Sequence, residues 1–234
     1  MGQLDRLFSQ DDRAAISAAI QQAEEKSGCE IIPVMAVASG RYDRGEDIFG
    51  VVVAMACVAL AWLLVPSLMP NAAPTGASAA AAWQYGEAAP FGLAVLLALV
   101  AGGFLLGALM ATRINLLKVL FVPRVEMREE VTRAAQACFY ARGLRKAPGA
   151  AGVLIYVSYF EHMVEVIGDD QVAEKLGADD WQAICDALLN GLRQRQPAAG
   201  FVAALEETGA LLDGTFTRPD DGQRFADELV LLDD

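Results

Sequence analysis

The chain has 234 residues, with 55% hydrophobic side chains and a formal net charge of −12. An acidic surface repels phosphate backbones and anionic lipid headgroups, which argues against nucleic acid as a partner and against broad electrostatic adhesion to membranes. It leaves divalent cations or a basic partner protein open without requiring either.

In chain order, Ser9 is a plausible N-cap for a first helix, with Asp11 and Asp12 in the turn where a helix favours negative charge. Ile16, Ile20 and Ala23 form one apolar stripe, and Gly28 stands where a left-handed residue ends such a helix. Glu30 to Val37 then reads as a strand buried on both faces. Pro33 lies within it. Having no N–H to donate, it requires a local edge or bulge at that point.

Two apolar spans follow, Ile48 to Pro70 and Phe91 to Thr112, and neither contains Asp, Glu, Lys, Arg or His. At about 1.5 Å per residue, some twenty residues cross a hydrocarbon core of ~30 Å. The sequence therefore predicts a transmembrane hairpin over 48–112, inserted into one soluble domain. The 47 residues before it are too few to bury a core alone and should complete the 122 that follow. Arg41 and Arg44 precede the hairpin, and Arg113, Lys118, Arg124 and Arg128 follow it. The loop Asn71 to Pro90 has no Lys or Arg. That asymmetry predicts both termini in the cytoplasm of a cell bounded by a bacterial-type inner membrane. Trp83 and Tyr85 in the loop suit a membrane interface. Gly103, Gly107 and Ala111 make a row of small residues through which the second span can pack on the first or on another protomer of a homo-oligomer.

After the spans, Ile114 to Val122 stays apolar and extends the helix or lies along the interface. Val125 to Arg142 reads as an amphipathic helix with Met127, Val131, Ala134, Cys138 and Phe139 inward, ended by Gly143. Gly152 to Ser158 and His162 to Ile167 read as two strands of a hairpin. Asp179 or Asp180 is expected to cap a helix bearing Trp181, Ile184, Leu188 and Leu192. Pro197 breaks the chain before a last helix carrying Phe201, Leu205 and Leu212. Residues 217–234 read as an acidic tail. The soluble parts, 1–47 and 113–216, thus predict an α/β fold: a small mixed sheet with helices on both sides.

Cys29, Cys57, Cys138 and Cys185 stand singly, without a C-x-x-C pair, as expected of reduced thiols. His162 is the sole histidine and has no sequence context for catalysis. Asp169 and Asp170 end a predicted strand, close to Asp179 and Asp180. Such carboxylates can hold Ca²⁺ or Mg²⁺; the alternative is a turn followed by helix caps.

Phe139, Arg142-Gly143-Leu144, Gly152-Val153-Leu154-Ile155-Tyr156-Val157-Ser158 and Val164-Glu165-Val166-Ile167-Gly168-Asp169 together resemble the TPM domain family of thylakoid lumen and photosystem II repair proteins. Phe8-Ser9, Gly28-x-Glu30-Ile31, Trp181 and Leu212…Phe216 fit the same pattern. The resemblance implies a TPM-like fold and opens two functions, since members of that family have been assigned phosphatase activity and calcium binding. This chain departs from the pattern at Asp170, where glycine is usual, and at Phe216-Thr217, where Phe-Pro is common. Many family members are exported, whereas here the charges point to a cytoplasmic domain. The expected function is a non-catalytic binding or assembly module for a membrane complex, with an unidentified protein partner. The alternative is a metal-dependent phosphatase at the membrane surface.

Overall fold

The computed structural model describes residues 2–40, 43–68, 89–113, 123–144, 151–217 and 225–233. They fall into two compact units, Tyr42–Arg124 and the two flanking segments Met1–Arg41 and Val125–Asp234.

In the flanking unit a short 3-10 turn (Leu4–Leu7) leads into α1 (Gln10–Ser27). Ser9 caps α1 reciprocally: its Oγ accepts the Asp12 N–H at 3.1 Å, and the Asp12 carboxylate accepts the Ser9 N–H at 2.9 Å. Gly28 ends the helix with φ +72°. A Cβ there would lie 2.2 Å from the Phe216 carbonyl oxygen, so only glycine fits the turn into the first strand.

Four strands make one mixed sheet. They are β1 (Glu30–Ala36), β2 (Gly152–Ser158), β3 (Met163–Gly168) and β4 (Val230–Leu232), ordered β3-β2-β1-β4. β1 runs parallel to β2 (Glu30 opposite Gly152, Ala36 opposite Ser158) and parallel to β4, while β3 returns antiparallel beside β2. The β2–β3 hairpin follows the sequence reading. β4, three residues inside the expected tail, is a strand the sequence reading did not assign.

Pro33 sits in the interior strand β1, yet its missing donor costs no ladder bond. The Glu30 N–H bonds Ala151 on the β2 side at 2.8 Å, and the Val37 N–H bonds Leu232 on the β4 side at 3.0 Å. Alternation turns residues 31, 33 and 35 toward β4, which begins pairing only at Val34. At Pro33, β1 is locally an edge.

Helices cover both faces. On one lie α1, α6 (Ala178–Arg193) and α7 (Pro197–Leu211), enclosing a core that includes Ile16, Ile20, Ile31, Met35, Val153, Ile155, Ile184, Leu188, Phe201 and Leu205. The last two helices approach closely: a Cβ on Gly191 would stand 2.3 Å from the Gly200 Cα. On the other face α4 (Arg124–Ala141) buries Val131, Ala135 and Phe139 against Ile32, Val34, Leu154 and Tyr156. The alternation of the strands into these two cores is why both read as apolar throughout. A single turn, α5 (Asp170–Ala173), follows β3.

One expected cap is corrected. Gly177, not Asp179 or Asp180, is the N-cap of α6. The Asp180 carboxylate reaches back to accept the Gly177 N–H at 2.8 Å, and both acids occupy the first turn, where the helix dipole favours them.

The second unit contains α2 (Asp43–Leu68) and α3 (Ala89–Arg113). They pack antiparallel. A Cβ on Gly103 would meet the Ala54 Cα at 2.8 Å, and one on Gly107 would meet the Gly50 Cα at 2.8 Å. By length and apolarity one described stretch, Leu96–Arg113, is able to cross a membrane, and Asp47–Ala61 is a shorter apolar one. Trp83, Tyr85, Lys118 and the Ile114 to Val122 extension lie outside the described residues.

Candidate functional site

The two ends of the sheet differ in chemistry. At the amino ends of β1 and β2, the Asp169 N–H bonds the Gly152 carbonyl at 3.0 Å, and its Oδ1 accepts the Val172 N–H at 2.9 Å as the N-cap of α5. Asp170 is in the first turn of α5. The acids near this end therefore act as helix caps and first-turn charges. Among the described residues no three His, Cys, Asp or Glu side chains gather where they could hold one metal ion. Cys29 is close by and buried. Burial pushes its thiol up to about 12, against a lowering hydrogen bond from Ser27, with the charges of Asp169 and Glu24 adding to the rise. The Cys185 thiol is pushed up to about 11, chiefly by burial. Thiols this weakly acidic are poor nucleophiles at neutral pH.

At the carboxyl ends of β1 and β2, four polar residues come together that the sequence reading did not select as a site. The loop after β1 supplies Ser39 and Gly40. β2 supplies Tyr156 and Ser158, and the turn into β3 supplies Glu161. The Glu161 Oε1 accepts the backbone N–H groups of Ser39 (2.9 Å) and Gly40 (3.3 Å), and its Oε2 accepts the Ser158 hydroxyl. The Ser39 hydroxyl donates to Ser158 Oγ at 2.8 Å and lies 3.1 Å from the Tyr156 hydroxyl. Burial raises the Tyr156 phenol, partly offset by its hydrogen bond with Ser39. Ser158 is fully buried and Glu161 is 8% exposed. The base of the turn is fixed by the Tyr159 and Phe160 N–H groups on the Ala36 and Val37 carbonyls, each at 2.9 Å.

His162 follows Glu161 in that turn at φ +53°, a conformation that costs a residue with a Cβ about 1 kcal/mol or more. Its Nδ1 hydrogen-bonds the Tyr159 carbonyl, and the side chain is exposed. Gly103 and Gly107 are spent on the α2 seam described above, and Ala111 is buried.

Comparison with known proteins agrees with this architecture. The TPM domain family model matches residues 105–211, somewhat less than half of the chain. The match runs from within α3 to the end of α7. β1, which completes the same sheet, and α1, which packs on it, precede the apolar helices. The NMR structure of the BA42 protein from the psychrophilic bacterium Bizionia argentinensis shares the fold, with a TM-score of 0.50 at 13% identity over 96% of this chain and 94% of that one. No curated protein matches the chain.

Proposed function

We propose that the chain is a membrane-anchored TPM-like domain that serves as a non-catalytic binding or assembly module for a membrane-associated complex. One observation carries the anchoring: the outward faces of α2 and α3 are apolar and exposed. Met55 is 68% exposed, Leu109 62% and Leu105 61%. Val51, Met55, Val58, Leu97, Val100 and Phe104 border an apolar groove of about 940 Å³ between the helices. So much contiguous apolar surface is costly in water and neutral in lipid tails. In this reading both helices span the inner membrane and both termini face the cytoplasm, on the flanking arginines. The module reading is supported by a polar network in which the Ser158 hydroxyl is fully buried and donates to Glu161.

Fractionating cells that express the full chain tests the anchor. It should stay with the membranes through alkaline carbonate and come off only in detergent, and a reporter fused after Asp234 should be active only in its cytoplasmic form. Recovery in the soluble fraction overturns the anchor. Turnover of a phosphate ester by the purified chain overturns the module and promotes the phosphatase.

A further inference from the structure

We infer that the carboxyl ends of β1 and β2 form an oxyanion-binding site whose resident ligand is the tethered carboxylate of Glu161. The inference goes beyond the proposed function, which assigns no ligand. Two successive backbone N–H groups, Ser39 and Gly40, point at one oxygen, Glu161 Oε1. That is the arrangement by which loops cradle carboxylate and phosphate oxygens. The hydroxyl of Ser158 takes the second oxygen, and Ser39 Oγ braces Ser158 from behind at 2.8 Å. The donors come from the β1 loop and from β2, whereas the occupant comes from a separate element, the turn into β3. The cradle is therefore built without the group that fills it.

The position is where open α/β sheets receive ligands, outside the carboxyl ends of parallel strands. The tether is also strained at its far side, because His162 holds φ +53° beside Glu161. Backbone bonds fix Tyr159 and Phe160 at the base of this turn. The ligand class that the cradle accepts once Glu161 is removed is a small oxyanion: a carboxylate, or a phosphate oxygen of equal reach. The site takes two oxygens of one planar or tetrahedral group, one on the paired amides and one on Ser158.

The test is chemical rescue in the full chain, held in detergent micelles. Glu161→Ala empties the cradle and should lower Tm; sodium acetate should reverse at least half of that loss with a saturating dose response, while the wild-type chain stays unmoved. Inorganic phosphate is a separate arm, which rescues only if the cradle admits a tetrahedral group. Rescue by acetate or by phosphate, beyond sodium chloride at equal ionic strength, supports the site. No rescue, or equal rescue by chloride, overturns it. If Glu161→Ala does not fold, Glu161→Gln keeps one acceptor oxygen without the charge. Acetate should then shift the Ser39 and Gly40 amide resonances saturably in that variant but not in wild type; amides that do not move overturn the inference.

Discussion

The carboxylate of Glu24, in the last turns of α1, accepts the backbone N–H of Ile31 in β1 at 3.0 Å. Glu24 is 2% exposed, and the N–H it receives is one that β4 begins too late to pair. A helix side chain thus closes the part of the β1 edge that Pro33 leaves without a ladder. Replacing Glu24 by Gln should cost little, since the amide oxygen can accept the same bond. Replacing it by Ala leaves a buried donor unsatisfied and should cost ~1–3 kcal/mol. Urea unfolding of the two variants checks the contrast; equal losses would refute the account.

The pairing of β1 with β2 makes the segments on either side of the apolar helices one domain. Replacing residues 43–122 by a short flexible linker should give a soluble protein that unfolds in one cooperative transition. The remainder without residues 1–40 should not fold, since it lacks the interior strand and the helix that carries Ile16 and Ile20. Circular dichroism during thermal melting reads both. A folded C-terminal piece alone would contradict the continuity of the sheet.

β2 was legible in the sequence because seven consecutive residues alternate into two cores, and α1 because Ser9, Asp12 and Gly28 mark its ends chemically. β4 was not legible. Three residues, Val230 to Leu232, carry no alternation, and their strand character comes from pairing with β1 nearly two hundred residues earlier. The same holds for the polar site. Ser39 and Glu161 are 122 residues apart, and each looks locally like an ordinary loop residue. Asp179 and Asp180 were misassigned as caps because an acid in the first turn and an acid at the cap look alike in sequence.

Glu165 on β3 is half-buried against α4. Burial raises its carboxyl, with Arg128 and a hydrogen bond from Thr132 pulling the other way. The folded state therefore holds this proton more tightly than the unfolded chain, whose value is near 4.5. Below that value the group is neutral in both states and costs nothing. As pH rises through the folded pKa the penalty of the buried charge comes fully into force. Glu165→Gln should thus be more stable than wild type at neutral pH, and the two should converge in acid. Unfolding at a series of pH values checks the direction; a wild type favoured at neutral pH would show that the Arg128 attraction outweighs burial.

The seam between α2 and α3 depends on backbone contact at Gly103 and Gly107. Gly107→Val should force the helices apart, with a loss of order 1–3 kcal/mol, whereas a Cβ on Gly102 meets nothing within 4 Å, so Gly102→Ala should be tolerated. Engineered cysteine crosslinking across the seam in membranes would register the difference. If Gly102→Ala disturbs oligomer size while the seam holds, the open glycine lies instead at a contact between protomers.

Asp169 separates a cap from a metal ligand. As the N-cap of α5 it can be replaced by Asn with little loss, because Asn accepts the Val172 N–H equally well, while Ala should cost ~1 kcal/mol. As a Ca²⁺ or Mg²⁺ ligand with Asp170 it would be disabled by Asn, since the charge holds the ion. Two adjacent carboxylates of which one already serves a backbone donor make a weak site, and a hydrolytic metal would need more oxygen ligands and a general acid beside it. We expect Asp169→Asn to match wild type in stability, with at most a slight rise in Tm in millimolar Ca²⁺ or Mg²⁺ that Asp169→Asn with Asp170→Asn removes. No metal-dependent turnover of a phosphate ester is expected from either protein. Turnover that appears with metal and vanishes in the double variant would make this end of the sheet the active site and displace the binding-module reading.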